Sequence, residues 1–318
     1  MAVYTHLTAA EIEGFLADYD VGELRSVKGI AEGVSNSNWL VETTQGRFIL
    51  TMFEARTEAA DLPFFLSLLD HLSAKDQPVP RTIHTHTGLQ MRDVRGKPAA
   101  LIEFLPGISI DEPEEPHAFE VGVALANLHL AAQDFPRLRK SSLSIPICVD
   151  MLHSRAGQFD AIDQQLAQIL PDCGDHIRDI LPTDLPQGTI HADLFPDNVL
   201  FVDGAVTGLI DFYFAYTGAF AFDLAVLHAA WSFALCDNTF RPDIGSALMA
   251  GYESRRALEE RERPALPILA QAACLRFVAT RVEDWFATPE DGLVRRKDPM
   301  QFAERLAFYA QSGDAPFQ

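Results

Sequence analysis

The segment TIHADLFPDN, residues 189–198, is the strongest indication of the fold in this chain of 318 residues. It contains the pattern H-x-D-x-x-x-x-N, and Ile210-Asp211-Phe212 follows it at the end of a predicted hairpin. A short hairpin can return the chain to the loop that precedes it, so that a side chain at its end faces that loop. We therefore expect Asp193, Asn198 and Asp211 to meet at one site.

These three side chains are of the types that phosphoryl transfer requires. One carboxylate must accept the proton of the attacking hydroxyl, and further oxygens must hold a metal ion against the phosphates. We predict Asp193 as the catalytic base, and Asn198 and Asp211 as ligands of Mg²⁺, which prefers hard oxygen donors. ATP is the phosphoryl donor that this chemistry implies.

A plainer interpretation of the same residues is that they cap a turn and a helix. His-x-Asp alone is a weak signal, but the complete spacing, the hairpin and Asp211 together are specific. His191 is expected to orient the loop through packing and hydrogen bonds, and we do not expect it to carry a proton.

A second polar segment, residues 29–38, lies between two predicted strands. Its glycines allow close approach of the backbone to a ligand, and its amides, Ser and Asn side chains can cradle phosphates. The alternative is an ordinary polar turn. No GxxxxGK[ST] sequence occurs, which argues against a P-loop kinase. The residues predicted here to bind nucleotide are Gly33, Ser35, Asn36 and Asn38.

The order of predicted elements indicates an α+β, bilobal, protein-kinase-like fold. Thr8 and Glu11 form a capping-box pattern that starts a helix reaching about Leu16. A helix over Glu58–Leu72 separates two antiparallel hairpins. The strands of those hairpins are predicted at Asn38–Thr43, Arg47–Phe53, Gly88–Val94 and Pro98–Phe104.

The rest of the chain is predicted to be mainly helical, at about 118–132, 150–170, 220–235, 242–260, 264–287 and 298–311. One strand–turn–strand at Asn198–Ile210, with Asp203-Gly204 at its tip, interrupts the helices. We expect a small antiparallel-sheet lobe that binds ATP, residues 1–105, and a larger helical catalytic and substrate-binding lobe, residues 106–318, with a cleft between them. Backbone groups of Glu103 and Leu105 can pair with adenine, although a plain edge strand fits the same residues.

The composition restricts the partners. A formal net charge of −20 disfavours nucleic acid and anionic membranes. The four cysteines are far apart and contain no CxxC pair, as in a reduced cytoplasmic protein. No secretory signal and no membrane-spanning stretch are predicted. The expected partners are ATP and a small molecule, and the oligomeric state is left open.

With these motifs in place, the chain resembles the aminoglycoside phosphotransferase and choline-kinase-like superfamily, which shares the protein-kinase fold. Within it, the chain is similar to bacterial type II homoserine kinases. The resemblance spans nearly all of the chain. The motifs that show it are GVSNSNW at 33–39, RFILTMFE at 47–54, LPFFL at 62–66, GxxLAxLH at 122–129, HADLFPDN at 191–198, IDFY at 210–213, DLA at 223–225, and Arg276-Phe277 followed by Arg281 and Asp284.

The resemblance implies transfer of phosphate from ATP to the hydroxyl of L-homoserine, a small amino acid, in a step towards threonine. It also implies that Asp223 braces the catalytic loop. One departure stands out, because Thr51 occupies the position where protein kinases carry a phosphate-binding lysine. Thr51 can give a neutral hydrogen bond but no charge. Lys28, Arg47, Arg56 and the loop amides remain open as substitutes.

The acceptor site is predicted in the second lobe. A carboxylate favours a guanidinium partner, and an ammonium favours a carboxylate. Arg276 and Arg281 are five residues apart, about 140° on a helix, so only one of them is expected to face the site. Arg281 and Asp284 share a helix face, where a surface ion pair is the alternative, and Tyr213 is a further substrate-binding candidate.

Two other functions stay open at this stage. One is a kinase for another amino-alcohol or an aminoglycoside, which the acidic composition allows. The other is an ATP-binding pseudokinase, which the missing lysine at Thr51 alone supports.

Overall fold

The computed structural model describes residues 5–30, 36–54, 58–288 and 296–318. The chain divides into two compact units, Met1–Pro106 and Gly107–Gln318. The first unit contains an antiparallel sheet and the second is mainly helical. The predicted α+β fold class is therefore confirmed.

Helix α1 of the first unit, Ala9–Leu16, begins at the predicted capping box. The Glu11 amide donates to the Thr8 hydroxyl at 3.3 Å, and the Glu11 carboxylate accepts from the Thr8 amide at 2.8 Å. The bond from the Thr8 amide, with those from Arg95 and the Thr8 hydroxyl, lowers the pKa of the Glu11 carboxyl to about 2. The local sequence thus determines where this helix starts.

The sheet of the first unit contains six strands, β1 Leu24–Ile30, β2 Ser37–Thr43, β3 Arg47–Met52, β4 Thr82–Ile83, β5 Arg92–Val94 and β6 Lys97–Glu103. Their order is β1-β2-β3-β6-β4, with β5 paired to β6, and each pairing is antiparallel. Arg95 and Gly96, at φ 55° and 78°, form the predicted tight turn between β5 and β6. Helix α2 is Leu62–Ser73.

The predicted strand Gly88–Val94 is too long, because β5 begins only at Arg92. Before that point the backbone is bonded locally: the Gly88 amide donates to the Thr85 carbonyl at 2.8 Å. The Leu89 amide donates to the Thr85 hydroxyl at 3.0 Å. A turn that satisfies its own amides does not extend a ladder.

Alternation along the strands divides the sheet into two faces. Trp39, Leu50 and Met52 lie on the face that forms a core with Phe15 and Leu16 of α1. Because successive side chains of a strand point to opposite faces, Asn38 and Thr51 lie together on the other face. Their strands pair Asn38 directly with Thr51.

The second unit places short strand pairs among its helices. The helices are α3 Glu115–Ala131, α4 Ile145–Arg155, α5 Gln164–Ile180, α6 Phe220–Trp231, α7 Pro242–Glu253, α8 Leu266–Ala287 and α9 Met300–Ser312. The strands are β7 Gln187–Ile190, β8 Val199–Val202, β9 Ala205–Leu209 and β10 Tyr216–Ala219. As predicted, β8 and β9 form a hairpin around Asp203-Gly204, both at positive φ.

The single helix predicted at about 150–170 is wrong. The chain forms α4 and α5 instead, joined by the 3₁₀ segment Ala156–Ala161. Asp163 ends this connection and caps α5, because its carboxylate accepts from the Gln165 amide at 2.7 Å. The sequence reasoning also missed β7 and β10, which pair with each other across the intervening hairpin.

Two glycines allow α3 and α7 to cross closely. A Cβ on Gly122 would lie 2.3 Å from the Leu248 carbonyl oxygen, and a Cβ on Gly251 would lie 2.1 Å from that of Phe119. The stretch Arg263–Ala287, which contains α8, is long and apolar enough to cross a membrane by length and composition. However, 72% of its most apolar window is buried within the protein, as in a core helix.

Candidate active site

The motif loop leaves strand β7 at Ile190 and is tied to the end of β9. The Ile210 amide donates to the Asn198 carbonyl at 3.0 Å. The His191 ring donates through Nε2 to the Ile210 carbonyl at 3.0 Å. These two bonds hold Asp211, the next residue, against the loop that carries Asp193 and Asn198.

His191 is fully buried and uses both of its ring nitrogens. Nδ1 accepts from the Asp193 amide at 3.2 Å, so the proton must lie on Nε2, which donates to Ile210. Its ring packs against Phe212, with centroids 4.5 Å apart. Burial lowers the pKa of His191, which keeps the ring neutral in these two bonds. These contacts are those of a residue that orients the loop.

Ala192 adopts a left-handed backbone at φ 64°, which is unusual for a residue with a side chain. Asp223, fully buried at the start of α6, holds this turn. Its carboxylate accepts from the amides of His191 and Ala192, each at 2.7 Å. It also pairs with Nε2 of His129 at 3.0 Å.

The pKa of Asp223 results from opposing influences. Burial raises the pKa of its carboxyl, but the bonds from His129 and the loop amide outweigh burial and leave it below its ordinary value. His129 is itself satisfied on both sides, since Nδ1 lies 2.8 Å from the Tyr252 hydroxyl. Asp223 thus remains ionised as an acceptor for the loop.

The Asp193 side chain is 19% exposed and lies next to Arg276. Nη2 of Arg276 is 3.4 Å from Oδ1 of Asp193 and also donates to the Ala192 carbonyl. Burial raises the pKa of Asp193, although Arg276, His191 and Lys297 act in the opposite direction. A carboxylate whose pKa is raised is a stronger proton acceptor than the carboxylate of an ordinary aspartate.

The two predicted metal ligands lie around the same loop. Nδ2 of Asn198 donates to the Asp193 carbonyl at 2.8 Å, which leaves its amide oxygen for another partner. Asp211 is exposed and has a left-handed backbone, φ 65° and ψ 59°. Desolvation of its carboxyl by neighbouring protein atoms, followed by the negative charges of Asp193 and Asp197, raises the pKa of Asp211 to about 7.

This donor set fits a hard divalent cation. The negative charges of Asp193 and Asp197 repel that of Asp211, and a bound cation would offset this repulsion. Within the described residues, no group of three His, Cys, Asp or Glu side chains is arranged to hold a metal ion alone. A divalent cation held by Asn198 and Asp211 would therefore need phosphate or water oxygens as further ligands, in the way that magnesium is commonly held.

The predicted acceptor residues are arranged differently from Arg276. Arg281 donates to the Asp298 carbonyl at 2.7 Å and to Oε1 of Gln301 at 2.8 Å. Burial lowers the pKa of Arg281 to about 10. Asp284 lies on α8, three residues after Arg281. The Tyr213 amide donates a hydrogen bond to Asp211. Of the two arginines that the sequence offered, Arg276 is therefore the one in contact with Asp193.

Arg276 is a sequence candidate that was not predicted to belong to the site, and Lys297 was not predicted from the sequence at all. Lys297 acts electrostatically on both Asp193 and Asp211, and its Nζ lies 6.0 Å from the Phe195 ring centroid. The separation of Arg276 and Arg281 by five residues correctly indicated that their side chains leave the helix in two different directions. It carried no signal for which direction faces the loop.

In the first unit, the Thr51 hydroxyl donates to Oδ1 of Asn38 at 2.8 Å. Oδ1 of Asn36 accepts from the Glu54 amide at 3.3 Å. Gly33, Ser35 and Arg56 lie outside the described residues. Of the other candidate cations, Lys28 is exposed on β1 and Arg47 lies over the Phe104 ring at 4.6 Å.

The predicted adenine contact at Glu103 meets a competing bond. Its amide donates to the Arg81 carbonyl at 3.0 Å, so this N–H is already used within the unit. The Glu103 carboxylate also lies 3.6 Å from Nε of Arg81. Leu105 follows the end of β6.

Known proteins with similar sequences are phosphotransferases and kinases. Residues 26–265 match the phosphotransferase enzyme family. A homoserine kinase of Methylobacterium radiotolerans is 46% identical over 99% of this chain and 98% of its own. A homoserine kinase of Xanthobacter autotrophicus is 44% identical over 97% of this chain and 96% of its own.

Solved structures share the fold at much lower identity. A spectinomycin phosphotransferase in complex with ADP and spectinomycin has a TM-score of 0.76 at 13% identity, covering 98% of this chain and all of that one. An amicoumacin kinase in complex with AMP-PNP and Ca²⁺ has a TM-score of 0.71 at 13% identity, covering 98% and 96%. A microcompartment-associated aminopropanol kinase has a TM-score of 0.63 at 18% identity, covering 98% and 99%.

Proposed function

The chain belongs to the phosphotransferase enzyme family, and from this premise we propose that it transfers the γ-phosphoryl group of ATP to the hydroxyl of L-homoserine. The products are ADP and O-phospho-L-homoserine. Full-length similarity to homoserine kinases, at 43–46% identity, carries the choice of acceptor. The structural neighbours support the fold, and the amicoumacin kinase and the spectinomycin phosphotransferase named above are in complex with adenine nucleotides. An ATP-dependent reaction on a metabolite suits the expected cytoplasmic location.

Asp193 is the proposed base. It accepts the proton of the homoserine hydroxyl while that oxygen bonds to the γ-phosphorus and the bond to the ADP oxygen breaks. Its raised pKa suits this task, and the His191 ring and the Asn198 amide fix the backbone on both sides of it. Geometry of this kind allows the hydroxyl to be held close to the phosphorus.

Asn198 and Asp211 are the proposed holders of Mg²⁺. When bound, the ion offsets negative charge on the phosphate oxygens and orients them. The residues proposed to contact the nucleotide are Asn36, Asn38, Thr51 and Leu105, with Gly33 and Ser35 of the same loop and the backbone of Glu103. For the acceptor we retain Tyr213, Arg281 and Asp284, the last two for its carboxylate and ammonium groups.

An acceptor panel tests this proposal. Purified protein with ATP and Mg²⁺ is offered L-homoserine, choline, ethanolamine, 1-amino-2-propanol or spectinomycin, and ADP release is followed alongside mass spectrometry of the phosphorylated product. We expect turnover with L-homoserine and a product mass of phosphohomoserine. Turnover with another acceptor and none with homoserine would refute the substrate assignment. ATP binding without turnover on any acceptor would favour a pseudokinase.

The variant Asp193→Asn is the matched control for this panel. It keeps the size of the side chain but cannot accept the hydroxyl proton. We expect kcat to fall by about three orders of magnitude while the melting temperature changes little. Unchanged turnover would remove Asp193 from the role of base.

A further inference from the structure

Arg276 connects the catalytic loop to the long helix α8. It is 3% exposed, and its Nη2 contacts both the Ala192 carbonyl and the Asp193 carboxylate. The two contacts are on adjacent residues, one on the main chain and one on the side chain. A planar guanidinium can reach two acceptors in fixed directions, whereas an ammonium acts as a point charge.

The opposite side of the same turn is held by a charge of the other sign. Asp223 accepts from the Ala192 amide at 2.7 Å, while Arg276 donates to the Ala192 carbonyl. The left-handed residue at φ 64° is therefore bonded at both of its peptide groups by buried ionised side chains. A backbone conformation that L-residues rarely adopt persists only where its surroundings determine it.

The Nε donor of Arg276 does not suggest a residue selected for stability alone. Its Nε is buried and has no hydrogen-bond partner. Leaving a buried donor unpaired is unfavourable, and sequences accept such costs mainly at functional sites. The guanidinium also lies over the Phe277 ring, at 4.3 Å from the centroid, which fixes its plane.

From these contacts we propose that Arg276 is a positioning residue for the reaction. It holds the Asp193 carboxylate and the Ala192 peptide in the arrangement that proton acceptance requires, without contacting the acceptor itself. This inference rests on the proposed function for its kinetic part. Its structural part, order in the 191–194 loop, does not depend on which acceptor the enzyme uses.

The experiment compares Arg276→Lys and Arg276→Met with the wild type. Arg276→Lys keeps the charge and loses the planar fork, and Arg276→Met keeps much of the length and loses both. Arg305→Lys is the matched control, because Arg305 is likewise buried in the second unit, at 2% exposed, and donates to Asn238 and the Ala229 carbonyl. All variants are compared below their melting temperatures.

Two readouts are measured. In kinetics with ATP, Mg²⁺ and L-homoserine, we expect kcat to fall at least about thirtyfold in both Arg276 variants, with KM for homoserine within about threefold. In hydrogen exchange followed by mass spectrometry, we expect faster exchange in peptides covering residues 191–194, and unchanged exchange in α6. Arg305→Lys should leave kcat and loop exchange as in the wild type.

The outcomes are separable. A folded Arg276→Lys protein with wild-type kcat and wild-type loop exchange would overturn the positioning role, whatever happens to Arg276→Met. A large rise in KM at constant kcat would also overturn it, since that result indicates direct acceptor binding. If the wild type does not turn over homoserine, the proposed function fails, while the exchange data still decide whether Arg276 orders the loop.

Discussion

The Thr51 hydroxyl donates to Oδ1 of Asn38 at 2.8 Å, across the pair β2–β3. Thr51 stands at the strand position where protein kinases carry a lysine. It orients the Asn38 amide, so its Nδ2 group is directed away from Thr51. A neutral donor fixed in this way can contact a phosphate but cannot neutralise it.

We predict that a lysine at this position does not improve nucleotide binding. Thr51 is 2% exposed and its hydroxyl bonds to the neutral amide of Asn38, so Thr51→Lys buries an ammonium next to a neutral hydrogen-bond partner. The melting temperature should fall, corresponding to a loss of about 2–4 kcal/mol, with no gain in kcat/KM for ATP. Thermal melts and ATP titrations at saturating homoserine measure both. An increase in kcat/KM for ATP would contradict the prediction.

The matched change Thr51→Val removes the hydroxyl at constant shape. Asn38 then loses its donor and can rotate, at a cost of about 1 kcal/mol. We expect KM for ATP to rise about fivefold while kcat stays near the wild-type value. If KM for ATP is unchanged, Asn38 does not bind the nucleotide in the way proposed.

A second prediction concerns Asp223. Its carboxylate accepts three hydrogen bonds, from two loop amides and the His129 ring. Asp223→Asn replaces one oxygen by an NH₂ group and sets a donor against a donor. The expected loss of stability is about 3 kcal/mol, and the folded variant should lose about tenfold to a hundredfold in kcat, because the Ala192 turn is no longer held.

Asp243→Asn is the control for the loss of a negative charge. Asp243 lies in the first turn of α7 and pairs with Arg241 at 2.9 Å, and its side chain is 39% exposed. Surface pairs of this kind contribute at most about 1 kcal/mol. Denaturant unfolding and steady-state kinetics on both variants test the difference. Equal effects at Asp223 and Asp243 would show that Asp223 does not brace the loop.

A third prediction uses two helical glycines that differ only in what surrounds them. A Cβ at Gly122 meets the backbone of α7, 2.3 Å from the Leu248 oxygen and 2.8 Å from the Tyr252 nitrogen. A Cβ at Gly14 meets nothing within 4 Å. Gly122→Ala should destabilise the protein by about 2–3 kcal/mol, because helix backbones must separate. Gly14→Ala should stabilise it by about 0.5–1 kcal/mol through helix propensity.

Thermal melting of the two glycine variants gives the comparison directly. Opposite shifts in melting temperature are expected. A neutral result for Gly122→Ala would mean that α3 and α7 separate without cost, and that their close crossing does not fix the packing of the second unit.

The sequence determined those parts of the fold that local chemistry encodes. The Thr8–Glu11 capping box, the Arg95-Gly96 turn and the Asp203-Gly204 turn all form where the pattern predicts them. Strands β7 and β10 were missed because each has only four residues, and their pairing is decided by contacts distant in sequence. The helical sequence pattern likewise continues across residues 156–161. The structure instead breaks the helix there, and Asp163 starts a new one.

The site was predictable to a similar depth. The motif spacing indicated that Asp193, Asn198 and Asp211 belong together, since all lie within one loop–hairpin segment. The choice between Arg276 and Arg281 was not accessible, because it depends on which side of α8 packs against the loop. That orientation is set by α8 packing on α6, α4 and α9, which no local pattern records.

The last prediction concerns the pH dependence of stability at the C-terminal end of the chain. His228 of α6 is fully buried, with Nδ1 2.6 Å from the Tyr309 hydroxyl and Nε2 3.1 Å from the Pro316 carbonyl. Burial lowers the pKa of His228 to about 4, while the bond to Pro316 opposes the shift. The ring is therefore neutral in the folded protein, and Nε2 carries the proton that Pro316 accepts.

Since the unfolded chain takes up this proton near pH 6.5 and the folded protein only near pH 4, the unfolded state binds more protons between these values. The contribution of His228 is thus fully present above pH 6.5 and is lost as pH falls towards 4, by about 3 kcal/mol in total. His228→Asn removes this titration. Denaturant unfolding of both proteins at pH 8, 6 and 5 should show a wild-type advantage that shrinks with falling pH, while the buried His129 and His191 titrate alike in both. A constant difference across this range would show that protonation of His228 is not coupled to unfolding.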